Sequence, residues 1–352
     1  MHYPAGSEPE EKRAVVTIYD VARRAGVSPA TVSRVFNGIK VTPSRVEAVN
    51  RAAAELGFVP NRNARRLRTN SSEIIAMMIP DIENPFFTAM TRAVEDIARA
   101  RGYSVMLCNT DEDPAKEQEY LRVAVSDPVA GVILAPSSVT TDLSLALERD
   151  VPVVCVDRHP ATDQVDTVVA DNLEGATSAA MLLFEAGYSR VACVSGPTHV
   201  ETADLRHRGW LRAYRDATGT EPPPELVIRT SYTLAGGEQA TRDLLALPEP
   251  PDAIFAANNK LASGVIRVLA EVGKLPPTTG LVSFGGLPLV LLVPVGVMVT
   301  HLPARRLGET AAAMLMERIG GFTGPGREVV LPLVYGDEDE GRELIEGRTA
   351  DR

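Results

Sequence analysis

Short runs of apolar residues alternate with amphipathic stretches along most of the chain after residue 72. The apolar runs are IIAMMI (74–79), YSVMLC (103–108), GVILA (131–135), PVVCV (152–156), RVACVS (190–195) and AIFAA (253–257). Between them, residues 86–101, 172–186 and 258–272 have the periodicity of helices. Wholly apolar strands separated by helices are typical of parallel sheets that helices cover on both faces. We therefore predict an α/β core of doubly wound parallel sheets over residues 73–334.

Ligands of such sheets bind at the carboxyl ends of the strands. The residues that follow the predicted strands are therefore candidates for a binding site, namely Asp81, Asn84, Phe86, Phe87, Arg158, Asn258 and Asn259. Polar side chains at these positions are also ordinary helix caps. For each single residue, both interpretations stay open.

A helical pattern occupies residues 17–38, TIYDVARRAGVSPATVSRVFNG. Thr17, with Asp20, can cap a first helix that ends at Gly26. Ser28 and Pro29 can start a second helix after a turn short enough to predict a helix-turn-helix unit. The outward side of this second helix would carry Pro29, Ala30, Ser33, Arg34 and Asn37, where a recognition helix meets base edges and phosphates.

A third helix follows in the same way and completes a predicted domain over residues 15–60. Thr42 is its expected cap, Pro43 its first residue and Gly57 its end. Its apolar stripe of Val46, Val49, Ala53 and Leu56 is interpreted as core packing without a functional role.

Residues 61–72, NRNARRLRTNSS, form a short basic segment in which Ala64 and Leu67 have helical spacing. An isolated helix of this length is unstable in water. We expect this hinge segment to fold only against DNA and the partner copy, with Leu67 as an apolar wedge in the minor groove.

The distribution of charged residues also separates the amino-terminal segment, residues 13–68, from the rest of the 352-residue chain. The formal net charge is −10, yet residues 13–68 hold eleven Arg or Lys against three acids, a local charge of +8. The remainder then carries −18. A basic segment on an acidic body concentrates attraction for phosphates at one end of the molecule.

Several other classes of function are disfavoured by the sequence. Cys108, Cys155 and Cys193 lie in apolar runs and are interpreted as reduced core residues, and no catalytic, metal-binding or cofactor motif is found. His159, His199, His207 and His301 show no chemical partner at motif spacing. The uncharged stretch 281–300 is interrupted by proline and glycine, which favours buried strands over a membrane span. Residues 1–14 and 335–352 are expected to be polar tails, the first a disordered one and not a secretory signal.

The chain resembles the lactose-repressor (LacI/GalR) family of bacterial regulators from about residue 15 to about residue 334. The most specific pieces are the 17–38 run, ELGFVPN at 55–61 and PDIENPFF at 80–87. The resemblance implies a periplasmic-binding-protein-like core of two lobes that closes on an effector. It also implies an operator-reading unit, whose candidate DNA contacts are Thr17, Tyr19, Ser28, Pro29, Ala30, Thr31, Ser33, Arg34, Asn37, Asn61, Arg62, Ala64 and Leu67.

Carried over by motif, the effector pocket includes Phe86, Thr202, Arg206, Tyr232 and Asn258. One position departs from the family, because Gly285 stands where an acidic residue usually accepts hydrogen bonds from sugar hydroxyls. We therefore expect Arg206 to lack an anionic partner, which disfavours an ordinary neutral sugar and favours an anionic or less polar effector.

The sequence thus predicts a cytoplasmic homodimeric repressor that binds a near-palindromic double-stranded DNA operator. A small-molecule effector, either a sugar or a small anionic metabolite, is expected to bind between the two lobes and to control it. It predicts no cofactor, no metal and no membrane association. Two alternatives are a solute-binding protein of a transporter and an enzyme on the same sheets. The absence of a secretion signal and the basic helical unit argue against the first, and the lack of catalytic motifs argues against the second.

Overall fold

A computed structural model describes residues 16–36, 39–58, 72–126, 129–287 and 295–333. Contacts divide these residues into two units, one before and one after residue 72. The predicted tails, the hinge segment up to residue 71 and Asn37 lie outside the described residues.

The amino-terminal unit is built from three helices, α1 (Ile18–Ala25), α2 (Pro29–Phe36) and α3 (Pro43–Leu56). Their shared core contains Val21, Val32 and Val49, each fully buried. The helices begin and end where the sequence predicted them. Thr42 precedes α3 as expected, but its side chain makes no capping hydrogen bond, so that part of the prediction is wrong.

The larger unit contains a six-stranded, all-parallel sheet in the order β11-β5-β4-β3-β1-β2. Its strands are β1 (Ile74–Ile79), β2 (Ser104–Asn109), β3 (Gly131–Leu134), β4 (Val153–Val156), β5 (Asp166–Ala170) and β11 (Glu328–Leu331). A second parallel sheet has five strands in the order β10-β9-β8-β6-β7. Its strands are β6 (Val191–Ser195), β7 (Val227–Arg229), β8 (Ala253–Ala256), β9 (Gly280–Phe284) and β10 (Met298–Thr300).

Helices connect most of the successive strands and pack on the sheets. They are α4 (Pro85–Ala100), α5 (Pro114–Ser126), α6 (Ser144–Glu148), α7 (Asn172–Glu185), α8 (Glu201–Thr218), α9 (Leu234–Leu245), α10 (Asn259–Glu271) and α11 (Ala304–Ile319), with a 3-10 turn at Pro224–Leu226. Residues 72–170 and 304–331 form the first lobe, around the six-stranded sheet, residues 172–302 form the second lobe, and Leu333 packs against Gly175 of the second lobe. The chain crosses between the lobes near residues 171 and 303.

The central strands are buried on both faces, as their apolar sequences predicted. All residues of β3, β4, β6, β8 and β9 are buried. Cys108, Cys155 and Cys193 are free and buried, and burial raises the pKa of each thiol. In the part of the chain that the structure describes, no helix is long and apolar enough to cross a bilayer.

Candidate DNA-binding and effector sites

The turn between α1 and α2 is fixed by short-range hydrogen bonds. The Asp20 carboxylate accepts from the Thr17 backbone N–H at 2.9 Å and from the Thr17 hydroxyl at 2.6 Å, so the first helix is capped as predicted. Gly26 ends α1 at φ +66°, a left-handed conformation that glycine adopts without a steric penalty. The Ser28 hydroxyl then accepts from the Thr31 backbone N–H at 3.2 Å and caps α2.

This geometry leaves one side of α2 open to a partner. Ala30 and Arg34 are exposed, and Pro29, Thr31 and Ser33 are half-buried. Among the other candidate DNA contacts, Thr17 and Ser28 are exposed and Tyr19 is 66% exposed. The remaining candidates, Asn37, Asn61, Arg62, Ala64 and Leu67, lie outside the described residues.

A cavity of about 720 Å³ lies between the two lobes. Its wall is made by segments that follow the carboxyl ends of strands from both sheets, which is where open parallel sheets bind ligands. Ten residues were predicted to contact an effector, and the structure places all ten in this wall: Asp81, Asn84, Phe86, Phe87, Arg158, Thr202, Arg206, Tyr232, Asn258 and Gly285. Their role in binding stays a prediction.

Some of these residues are helix caps as well as wall residues. The Asn84 side-chain oxygen accepts from the Phe86 backbone N–H at 3.1 Å at the start of α4, and Asn258 accepts from Leu261 at 2.8 Å at the start of α10. The cap interpretation is therefore confirmed for these two residues, and their contact with an effector stays a prediction. A capped residue has a fixed orientation, which suits it to a preformed site.

Arg158 is held rigidly in the cavity wall by a residue that sequence reasoning missed. Its guanidinium donates two 2.7 Å hydrogen bonds to the Glu112 carboxylate and one of 3.0 Å to the Pro136 carbonyl. Glu112 follows Asp111 in a turn where both residues have a left-handed φ, near +57° and +56°. Such conformations are unfavourable outside glycine and are found where a site demands them.

Arg206, on α8, is positioned by neutral partners. Its Nε donates to the Asn172 side-chain oxygen at 2.8 Å, its Nη1 donates to the Ala257 carbonyl at 2.9 Å, and its guanidinium lies 4.5 Å from the centre of the Phe284 ring. It is 5% exposed. Its charge also acts on the nearby Asp157 carboxyl and favours the ionised form of that group.

Three buried polar atoms of the cavity residues have no hydrogen-bond partner among the described residues. They are Oδ1 of Asp157, Nε of Arg158 and the hydroxyl of Tyr232. Burial raises the pKa of the Asp157 carboxyl and of the Tyr232 hydroxyl. Nε of Arg158 nevertheless lies 3.4 Å from Oδ2 of Asp157 in an ion pair, so one acceptor on Asp157 and the Tyr232 hydroxyl are the groups left without a polar neighbour.

The cavity wall carries charges of both signs. Five acidic and three basic side chains line it, and these are Asp81, Glu83, Asp111, Glu112, Asp157, Arg158, Arg206 and Lys260. Carboxylates reach the wall from the loops after β2 and β4, so it carries negative charge although position 285 is a glycine. Gly285 itself has φ +105°, a conformation that an aspartate would adopt only with strain.

Two contacts join the lobes at the cavity. Lys260 of the second lobe forms an ion pair with Asp81 of the first. The Asn259 amide donates to the Asn84 side-chain oxygen at 3.1 Å. The lobes are thus bridged directly in the arrangement of this structure.

His159 was predicted to lack chemical partners, and this is wrong. Its Nδ1 lies 2.7 Å from Oε1 of Glu201, and its Nε2 lies 3.1 Å from Oε1 of Glu328. The hydrogen bond to Glu201, with that to Glu328, raises the pKa of His159 to about 9. Its partners are 42 and 169 residues away along the chain, which no spacing rule would connect. Among the residues placed here, no group of three or more His, Cys, Asp or Glu could hold a metal ion.

Comparison with known proteins covers both units. Residues 72–340 match the family described as periplasmic binding proteins and sugar binding domain of LacI family, and residues 17–61 match the bacterial regulatory proteins, lacI family. The HTH-type transcriptional repressor PurR of Vibrio atlanticus (strain LGP32) is 32% identical over 87% of this chain and 92% of the relative. The ribose operon repressor of Halalkalibacterium halodurans is 34% identical over 87% of this chain and 91% of the relative.

Solved structures share the fold. The transcriptional regulator CelR in complex with cellobiose has a TM-score of 0.68 at 28% identity, covering 92% of this chain and 98% of that one. The lac repressor dimer bound to operator and the anti-inducer ONPF has a TM-score of 0.78 at 24% identity, with the same coverage. The fold class predicted from the sequence is confirmed.

Proposed function

The chain belongs to the LacI family of bacterial transcription regulators, and from this premise we propose that it represses transcription as an operator-bound homodimer controlled by a sugar. It acts on DNA in the cytoplasm and has no catalytic role. The observation that carries the proposal is the pairing of an open recognition helix with a preformed interlobe cavity in one chain. The relatives named as repressors support it.

On the DNA side, α2 is the element proposed to enter the major groove. Arg34 supplies a guanidinium fork, whose geometry suits the O6 and N7 acceptors of guanine. Ala30 offers only apolar contact, which suits a thymine methyl group. The other candidate contacts fix the helix on the phosphate backbone, and Leu67 of the hinge segment remains the proposed minor-groove wedge.

The dimer is supported by an apolar edge on the first lobe. β2 is the outer strand of the six-stranded sheet, with Leu107 38% exposed, and Val123 of the adjacent α5 is 45% exposed. An uncovered strand edge with apolar side chains is prone to association. A second copy that covers this edge would give a dimer with two recognition helices, one for each half of a near-palindromic operator.

On the effector side, the cavity suits a neutral ligand with several hydroxyl groups. The Asp157 oxygen and the Tyr232 hydroxyl that have no hydrogen-bond partner among the described residues match hydroxyls, which both donate and accept. Acids outnumber bases in the wall, so an anion would meet repulsion despite the unpaired Arg206. Phe86 and Phe284 add apolar surface of the kind that packs on sugar rings.

The proposal is tested by selecting bound sequences from random duplex DNA with the full-length protein. The winning operator is then titrated with pentoses, hexoses, cellobiose and D-gluconate present in turn. We expect a near-palindromic operator, and a change in its affinity with at least one neutral sugar. Failure to enrich any sequence, with or without sugars, would contradict the repressor function. A response to D-gluconate alone would contradict the neutral ligand.

A further inference from the structure

We propose that His159 and Glu201 form a clamp between the two lobes and that this clamp sets the lobe arrangement on which an effector acts. His159 lies in the loop after β4, in the first lobe, and Glu201 is the first residue of α8, in the second lobe. The clamp itself is independent of DNA or ligand. Only its coupling to an effector rests on the proposed function.

The contact uses both oxygens of the Glu201 carboxylate. Oε2 accepts from the His159 backbone N–H at 2.7 Å, and Oε1 lies 2.7 Å from Nδ1 of the ring. The two bonds share one carboxylate, so a rotation of one lobe against the other would break them together. The Glu201 side chain is 23% exposed and that of His159 is 38% exposed, which shields the pair partly from solvent.

Glu328 on β11 holds the other side of the imidazole. It belongs to the same lobe as His159, and its carboxylate faces Nε2 at 3.1 Å. With a carboxylate on each ring nitrogen, the ring is a double donor and therefore an imidazolium. Burial opposes the ionisation of Glu201, but the hydrogen bonds from His159 outweigh burial and lower the pKa of this carboxyl. The positive charge of Arg158 lowers the same pKa further. The clamp is thus a charged pair at neutral pH.

Both residues of the clamp have cavity-wall residues as their direct neighbours in the sequence. Asp157 and Arg158 directly precede His159, and Thr202 directly follows Glu201. A ligand that contacts Arg158 and Thr202 would therefore pull on the two segments that the clamp joins. The Lys260–Asp81 ion pair bridges the lobes as well, so loss of the clamp would shift the lobe equilibrium and would not abolish the lobe arrangement seen here.

The test measures interlobe distance by single-molecule FRET in the full-length protein. Dyes are attached at Glu148→Cys in the first lobe and Asp216→Cys in the second, both exposed positions, since the native cysteines are buried. Labelled protein is mixed with excess unlabelled protein, so that a dimer carries one labelled copy. Glu201→Gln is compared with Glu328→Gln. Each removes one carboxylate from His159, but only Glu201 spans the lobes.

We expect Glu201→Gln to give a second FRET population at least five-fold larger than in the parent or in Glu328→Gln. An unchanged distribution in Glu201→Gln, or the same change in both variants, would overturn the clamp. This readout needs neither operator nor sugar. If operator selection fails and the FRET result supports the clamp, only the proposed function is rejected. If an operator is selected and the FRET result contradicts the clamp, only the clamp is rejected.

A pH titration keeps the proposal falsifiable should Glu201→Gln fail to fold. The pKa of His159 is about 9 in the clamp, compared with 6.5 for a free histidine. The contribution of the clamp to the lobe arrangement is therefore complete below pH 6.5 and is lost as the pH rises through about 9. The second FRET population should therefore grow in the parent between pH 7 and about pH 10. It should be independent of pH in His159→Gln. Identical titrations of the two proteins would refute the clamp.

Discussion

Arg34 is the only charged side chain of α2, and the proposed base readout depends on it. Its neighbours Pro29 and Ala30 have no side-chain donor. Arg34→Ala should reduce affinity for the selected operator by about 1–3 kcal/mol and relax the preference at one base pair, because a bidentate contact to guanine is lost. Fluorescence anisotropy on the operator and its single-base variants measures both effects.

Arg23→Ala is the matched control, since Arg23 on α1 is also an arginine and its side chain is 81% exposed. It should leave the order of preference among base variants unchanged. An Arg34→Ala protein that binds every variant more weakly by the same factor would show that Arg34 contacts phosphate only.

Residues of the cavity differ in how far the sequence reveals them. Asp81, Asn84 and Asn258 follow apolar strands directly, so the strand-end rule finds them, and Asp157 could have been found in the same way. Glu112 could not, because its partner Arg158 is 46 residues away and only the fold brings the two together. Pairs of this kind decide the charge of the site, and the spacing of residues along the chain does not record them.

The bounds of the strands that are apolar throughout were predicted within one or two residues. The strands that were missed share a physical reason. β5 begins with a carboxylate, Asp166, that is buried only because two arginines pair with it. β11 has exposed residues on an edge of the sheet, and β7 has only three residues. Tertiary contacts stabilise these strands, and periodicity does not record such contacts.

Asp166 ties β5 to α11 and β11 and makes a pH-dependent contribution to stability. Burial opposes its ionisation, but hydrogen bonds from Arg318 and Arg327 outweigh burial and lower its pKa to about 2. Because this pKa is lower in the folded protein than in the unfolded chain, ionised Asp166 stabilises the fold at pH values above 3.8. This contribution to stability is lost as the pH falls through about 2. Asp166→Asn should therefore reduce the free energy of unfolding at pH 7 by about 2–3 kcal/mol.

Urea unfolding of the parent and Asp166→Asn at several pH values between 7 and about 2 checks this prediction. The difference between the two proteins should shrink as the pH approaches 2. A difference that stays constant over this range would mean that Asp166 contributes through shape and neutral hydrogen bonds alone. Glu119→Gln on α5, an exposed carboxylate, should change stability little at any pH.

At the scale of the whole molecule, the division of charge predicts where salt acts on operator binding. The segment 13–68 carries +8 and the remainder −18. Arg45 is exposed on the first turn of α3, where free helical N–H groups also attract phosphate. Arg45→Gln should lower the slope of log affinity against log salt concentration by about 1.

Arg149→Gln removes the same charge from an exposed position of the first lobe and should leave this slope unchanged. Titrations of the operator at four salt concentrations compare the two variants. Equal slopes for both would place phosphate contacts outside α3, and a change in Arg149→Gln would mean that the acidic body also contacts DNA.

The backbone conformation at Gly285 makes it difficult for a mutation to restore an acidic residue at this position. Glycine and aspartate codons are neighbours in the genetic code, so the acidic residue usual in the family is within easy mutational reach. At φ +105°, however, a side chain is strained whatever space surrounds it, and the mutant would be disfavoured before its carboxylate could serve a ligand. Descendants of this repressor are therefore expected to change ligand preference through other wall residues first, and to regain an acid at 285 only after the turn has moved.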